Sequence, residues 1–202
     1  TVVSVAVYNS YVFAGTVGGV YRSADNGQTW TIANNGLPVT EGATDECVVL
    51  VSNNILYSRY KGVLYTSNNN GDTWTGSTGT LTVTSQRNIL NTGFYIIVAT
   101  GEGVYYSNND GASWKKSALD LRQVNVFLMS CETVIAAADN GIFYSYDNGA
   151  SWTGSTFKDE LNKIPYAGSM IKSGKNLYAG VEFGGVYISA NNGLSWTKFN
   201  TG

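Results

Sequence analysis

The chain has 202 residues, 43% of them apolar and only 13% charged, with a net charge of −2, no histidine and two cysteines. That composition excludes a disordered chain, and without a basic stripe it argues against nucleic-acid binding. Apolar runs such as Val48 to Val51 are far too short to span a membrane as a helix, and a zinc site lacks the ligands to build it.

Taken in order, the first repeat alternates as a strand over Ser4 to Tyr8, turns at Asn9-Ser10, and forms a second strand over Tyr11 to Ala14. It turns again at Gly18-Gly19, runs Val20 to Ser23 as a third strand, turns through Asp25-Asn26-Gly27, and ends in a strand over Thr29 to Ile32. Repeat two gives strands at Cys47 to Val51, Ile55 to Ser58, Val63 to Thr66 and Thr73 to Thr75. Repeat three gives Asn88 to Leu90, Tyr95 to Ala99, Val104 to Tyr106 and Ser113 to Lys115. Repeat four gives Val124 to Met129, Thr133 to Ala137, Ile142 to Tyr144 and Ser151 to Thr153, and repeat five gives Ser169 to Lys172, Asn176 to Ala179, Val186 to Ile188 and Ser195 to Lys198. Between the last two, Asp159 to Lys163 is expected to form one helical turn, ended by Pro165.

The repeats are phased by one stretch, Ser23, Asp25, Gly27 and Trp30. It returns as Ser67, Asn69, Gly71, Trp74; as Ser107, Asn109, Gly111, Trp114; as Ser145, Asp147, Gly149, Trp152; and as Ser189, Asn191, Gly193, Trp196. The leading serines are 44, 40, 38 and 44 residues apart, and all five tryptophans fall in these units. Such a period marks repeats that share a core by packing on one another. Four short strands per repeat predict an all-β fold, a five-bladed β-propeller of four-stranded antiparallel blades in a single domain over 1–202. The blades are expected at about 1–36, 45–78, 88–117, 123–155 and 167–200. A straight solenoid would want polar capping repeats, and repeats one and five are ordinary members.

Physically the recurrent stretch is a turn. Ser and Asp or Asn bond nearby amides, Gly takes the positive φ, and Trp is expected to wedge into the gap beside the neighbouring blade. Ring closure is expected by blade-to-blade packing, with a swapped pairing of Thr1-Val2-Val3 as the alternative. The chain opens at Thr1 without a basic-then-apolar leader, as a processed or excised segment would. Its end, Asn200-Thr201-Gly202, echoes Asn35-Gly36-Leu37, as in a protein that continues. Cys47 and Cys131 occupy non-equivalent positions and are expected as unpaired thiols.

The pattern Ser-x-Asp-x-Gly-x-Thr-Trp resembles the Asp-box, or BNR repeat, of sialidases, sortilin-like receptors, xyloglucanases and photosystem assembly factors. The resemblance covers all five repeats and implies the propeller fold, with the Asp-boxes on the face remote from a functional centre. It departs from the strict pattern where Asn69, Asn109 and Asn191 replace the acid. A calcium loop would need several carboxylates, so no metal is expected in these turns.

The sialidase resemblance would imply three arginines on a carboxylate and a Tyr-Glu pair. The four arginines, Arg22, Arg59, Arg87 and Arg122, match none of those positions, and no catalytic residue carries over. Another glycosidase chemistry would need two facing carboxylates. The strands expected to be innermost are Val5-Ala6-Val7, Val48-Val49-Leu50, Asn88-Ile89-Leu90, Val124-Asn125-Val126 and Ser169-Met170-Ile171. They carry no acid beyond Glu46 at an edge and are expected to plug the channel as a core. No catalysis and no cofactor are expected.

Charge instead gathers on the turns between second and third strands and on the linkers, the face opposite the Asp-boxes. Arg59, Tyr60, Lys61, Glu102, Asp139, Asn140, Glu182 and Phe183 lie on the turns, and Arg87, Arg122 and Tyr166 on the linkers. Loops on a rigid scaffold are where binding residues concentrate, although solvated turns are charged in any case. The turns differ from blade to blade, which predicts one composite site rather than five sugar sites. The expectation is a non-catalytic binding module, secreted or at the cell surface, that recognises a glycan or protein through this face. The location follows from low charge, abundant Tyr, Asn, Ser and Thr, and the resemblance. Nucleic acid and membrane insertion are not expected. Alternatives are a structural, self-assembling surface or filament subunit or an assembly factor, and then a degenerate glycoside hydrolase.

Overall fold

A computed structural model of the chain describes residues 1–79, 81, 88–118, 121, 123–158 and 166–199. Every element among them is a strand. Blade one comprises β1 (Val2–Tyr8), β2 (Tyr11–Thr16), β3 (Gly19–Ser23) and β4 (Thr31–Ile32), and blade two β5 (Val48–Ser52), β6 (Ile55–Tyr60), β7 (Val63–Ser67) and β8 (Thr75–Gly76). Blade three comprises β9 (Asn88–Asn91), β10 (Ile96–Thr100), β11 (Gly103–Ser107) and β12 (Lys115–Lys116), and blade four β13 (Val124–Ser130), β14 (Thr133–Ala138), β15 (Gly141–Ser145) and β16 (Thr153–Gly154). Blade five comprises β17 (Ala167–Ser173), β18 (Asn176–Val181), β19 (Gly185–Ser189) and β20 (Thr197–Lys198). Each blade is a four-stranded antiparallel sheet in sequence order. The expected helical turn at Asp159 to Lys163 lies outside the described residues.

Two compact units divide the chain: Thr1–Thr84 with Ser107–Trp114, and Ser85–Tyr106 with Lys115–Gly202. Blades one and two lie in the first, and blades four and five with most of blade three in the second. The swapped pairing does not occur, because Val2 pairs with Thr16 inside blade one.

The fourth strands start later than the sequence reading had them, after the Trp rather than at the Thr or Ser before it. The repeated turn explains this. Ser23 Oγ accepts the Gly27 amide at 2.8 Å and donates to Asp25 Oδ1 at 2.7 Å, and Asp25 Oδ1 accepts the Thr29 amide at 2.8 Å. Thr29 has thus given its amide to the turn, and the ladder resumes only at Thr31. The bonds recur in the other four blades, with Gly71, Gly111, Gly149 and Gly193 donating to their serines at 2.7 to 2.9 Å.

Asn substitutes for Asp by reversing one bond. The Thr29 hydroxyl donates to Asp25 Oδ2 at 2.6 Å, whereas Asn69 Nδ2 donates to the Thr73 hydroxyl at 2.8 Å. The amide therefore closes the same ring without a charge. In blade one the charge has a measurable signature, because the Thr29 hydroxyl and amide, with Ser23, lower the Asp25 carboxyl to about 2 from its usual 3.8. A value depressed in the folded state means that this contribution is complete above pH 3.8 and disappears as pH falls through about 2. Asp147 also lies below its ordinary value: partial burial pushes it up, but bonds from Ser151 and Ser145 outweigh that. Asp25→Asn is expected to leave thermal stability near neutral pH little changed and to flatten its decline in acid, as read from melting temperatures across a pH series.

Within each unit, consecutive blades pack face to face. In the first unit Phe13, Val20 and Ala33 of blade one are buried with Val49, Leu56, Tyr65 and Trp74 of blade two. The blades are also pinned by polar bonds: the Val49 amide donates to Ser4 Oγ at 2.8 Å, Trp74 Nε1 donates to the Ala33 carbonyl at 2.8 Å, and Arg22 Nη1 reaches Asp72 Oδ1 at 2.6 Å. Gly15 is required there, since a Cβ would overlap the Cys47 carbonyl oxygen. In the second unit Asn88 Nδ2 ties blade three to the Asn125 carbonyl at 2.6 Å, and the Tyr144 hydroxyl donates to the Gly193 carbonyl of blade five.

The expected wedge holds for Trp74 and Trp152, which are 4% and 8% exposed. It fails for Trp30, which is 41% exposed and turns its indole N–H back to its own Gly27 carbonyl at 3.0 Å. First-strand side chains of blades one and five are open on one side. Val5, Val7 and Ile171 are 63%, 66% and 63% exposed, because neither blade has a sheet over that side in its own unit. Cys47 is buried and Cys131 exposed, both free; burial pushes the Cys47 thiol up to about 11.

Candidate functional site

Within the second unit a cavity of about 430 Å³ opens between the turn joining β10 to β11 and the strand entries of blades four and five. It is lined by Ala99, Thr100, Gly101, Gln123, Val124, Asn125 and Tyr166. In an antiparallel blade these segments lie at the strand ends opposite the repeated Ser-to-Trp turn.

Local register builds the lining. Val124 pairs with Ala138 and Val126 with Ala137, so Asn125 is an extra residue on β13, a β-bulge that re-aims its side chain. Asn125 Nδ2 donates to the Ala167 carbonyl at 3.1 Å and lies 3.4 Å from Asp139 Oδ1. Gln123, just before the strand, has φ 52° and is exposed. On the opposite wall the Thr100 hydroxyl donates to the Gly103 carbonyl at 2.7 Å and accepts the Glu102 amide at 3.1 Å. This tight turn leaves the Glu102 side chain in solvent beside Gly101. Tyr166 closes the third side, 36% exposed, and its carbonyl accepts the Glu182 amide at 3.0 Å. The Glu182-Phe183 turn is thereby anchored to the cavity-lining residue, with Phe183 fully exposed at φ 57°.

Of the residues singled out in the sequence, Tyr166 lines this cavity; Asp139 lies 3.4 Å from Asn125 Nδ2, the Glu182 amide bonds to the Tyr166 carbonyl, and Glu102 follows Gly101 in sequence. Asn140 is exposed next to Asp139. Arg59, Tyr60 and Lys61 belong to the first unit and are not among the residues that line this cavity. Tyr60 is fully buried, because the two-residue alternation along β6 puts it on the same face as Leu56, in the core cluster of the first unit. Burial lowers the Arg59 guanidinium from its ordinary value. Lys61 is paired with Asp45 at 3.2 Å and sits 5.3 Å from the Tyr60 ring centre. Arg87 and Arg122 lie outside the described residues.

Sequence reading missed Gln123 and Asn125, for a physical reason. Val124-Asn125-Val126 alternates like a regular strand, and nothing in the spacing marks Asn125 as the bulged residue. The cavity offers one half-exposed aromatic ring, two carboxamides and a bordering carboxylate, within the size range of small-ligand sites. Among the described residues no three of Cys, Asp and Glu come together as a metal site, and no helix is long and apolar enough to cross a membrane.

Five four-stranded antiparallel blades with one repeated turn each define a β-propeller. The chain belongs to the DUF6242 beta propeller domain family, whose model matches residues 38–168. No curated protein matches the sequence significantly. Solved structures share the fold at low identity. The extracellular domain of the putative one component system BT4673 from B. thetaiotaomicron aligns with a TM-score of 0.74 and 12% identity, covering 100% of this chain and 28% of that one. YCF48 bound to D1 peptide gives 0.66 and 15%, covering 98% and 68%. The GH74 enzyme of Niastella koreensis gives 0.65 and 23%, covering 98% and 31%, so this chain spans about a third of that enzyme's length.

Proposed function

We propose that the chain is a non-catalytic binding module, secreted or at the cell surface, whose repeated turns are Asp-boxes and whose ligand, a glycan or an extended peptide, binds on the face opposite them. The observation that carries this reading is the cavity bounded by Tyr166, Gln123, Asn125 and Thr100. An exposed Tyr ring offers a flat apolar surface to a sugar or a side chain, and the carboxamides of Gln123 and Asn125 offer both donors and acceptors. Among the described residues the lining holds no carboxylate, Asp139 standing behind Asn125, and this supports binding over a facing carboxylate pair. The extracellular BT4673 domain and peptide-bound YCF48 support the location and the class of partner.

Saturable binding on a glycan array or a peptide array tests the proposal. Tyr166→Ala is expected to weaken binding at least tenfold and Asp139→Asn several-fold, with circular dichroism unchanged. Binding that survives Tyr166→Ala at full strength would place the ligand elsewhere.

A further inference from the structure

Six Asn-Gly pairs lie in the chain, at Asn26, Asn35, Asn70, Asn140, Asn148 and Asn192. Such a pair is open to one spontaneous reaction: the glycine nitrogen, with no side chain beside it, attacks the asparagine Cγ and expels ammonia. Water then opens the resulting succinimide to aspartate or isoaspartate. The nitrogen must first give up its proton, so a glycine amide held in a hydrogen bond is a poor nucleophile.

The repeated turn holds it in that way. The amides of Gly27, Gly71, Gly149 and Gly193 donate to Ser23, Ser67, Ser145 and Ser189 at 2.7 to 2.9 Å, and those serines are 0% to 3% exposed. The preceding Asn26, Asn70, Asn148 and Asn192 are fixed at φ 54 to 58°. Besides shaping the turn, the serine therefore withholds the nucleophile that would consume its asparagine. Asn140 is guarded otherwise, since Gly141 is buried at the start of β15 and paired with Ala138.

Asn35-Gly36 has neither guard. Both residues are exposed, and among the described residues the Gly36 amide has no hydrogen-bond partner. The turn is closed one residue later, where the Leu37 amide donates to the Asn34 carbonyl at 2.8 Å. Asn35 also stands at the seam between blades one and two. Its Nδ2 donates to the Asp72 carbonyl at 3.2 Å, and its carbonyl accepts the Trp74 amide at 2.9 Å.

We propose that Asn35 is the chain's site of spontaneous deamidation and that the reaction loosens this seam. The bond from Gly36 N to Asn35 Cγ forms as the Cγ–Nδ2 bond breaks, and Nδ2 leaves as ammonia with the proton of the Gly36 amide. A water then adds across one of the two imide C–N bonds. Opening to aspartate sets a carboxylate oxygen against the Asp72 carbonyl, where a donor stood. Opening to isoaspartate routes the main chain through Cγ, which adds a methylene to it and turns the carbonyl that Trp74 binds into a pendant carboxylate. This inference is independent of the ligand-binding reading.

Peptide mass spectrometry on the folded chain and on Ser145→Ala, held in mildly alkaline buffer and sampled over weeks, tests it. In the unaltered chain Asn35 is expected to convert at least tenfold faster than the other five asparagines, to aspartate and isoaspartate together. The urea midpoint is expected to fall as the converted fraction grows. In Ser145→Ala, Asn148 is expected to convert at least tenfold faster than before while Asn26, Asn70 and Asn192 keep their rates; unfolding would raise all of them together. Equal rates at the six sites, an Asn35 slower than the serine-held asparagines, or an unmoved urea midpoint would overturn the proposal. So would an Asn148 indifferent to the loss of Ser145, or a rise at every site at once.

Discussion

Trp74→Ala is expected to lower stability by about 3–5 kcal/mol, the range for emptying a large aromatic from a packed core. The side chain is 4% exposed, it belongs to the cluster joining blades one and two, and its indole N–H donates to the Ala33 carbonyl at 2.8 Å. The substitution therefore leaves a cavity and an unpartnered carbonyl together. Trp30→Ala removes the same residue from the same motif, yet it is expected to cost roughly 1 kcal/mol at most, because a side chain 41% exposed has less packing to lose. Urea midpoints of the two variants measure the difference directly. Equal losses would mean that the side of blade one bearing Trp30 is covered in solution.

Gly36→Ala is expected to cost about 2–5 kcal/mol, from two additive sources. Gly36 has φ 91°, a region where a Cβ is strained, and that Cβ would overlap the Trp74 carbonyl oxygen of the next blade. Gly42→Ala separates the two, since Gly42 also has positive φ, 76°, but nothing lies within 4 Å of its Cβ position. It is expected to lose only the backbone part, about 1–2 kcal/mol. Thermal melts of both variants check this, and similar losses would sink the claim that close approach of the blades is what Gly36 serves.

The repeated turn is a local object, and for that reason it was legible. Ser23, Asp25, Gly27 and Thr29 satisfy one another within seven residues, so spacing alone identifies the turn, the blade count and the tolerance for Asn. The turns opposite were also legible as charged, and Asp139 and Glu182 bond to residues of the cavity lining. Tyr60, read as a turn residue, ends β6 on the Leu56 side, and its burial depends on the neighbouring sheet packed over that side. Asn125 was missed because a bulge shifts pairing without disturbing alternation.

What the sequence determined by itself is the chain of five blades, each closed by a turn whose hydrogen bonds run between near neighbours. Only the tertiary structure decided which equivalent residues are core and which are surface. Val49 and Val5 occupy the same place in the same repeat, and one is buried and the other open because burial depends on the sheet packed alongside. The cavity at Tyr166 is of the same kind, formed where three segments distant in sequence meet, and no single repeat contains it.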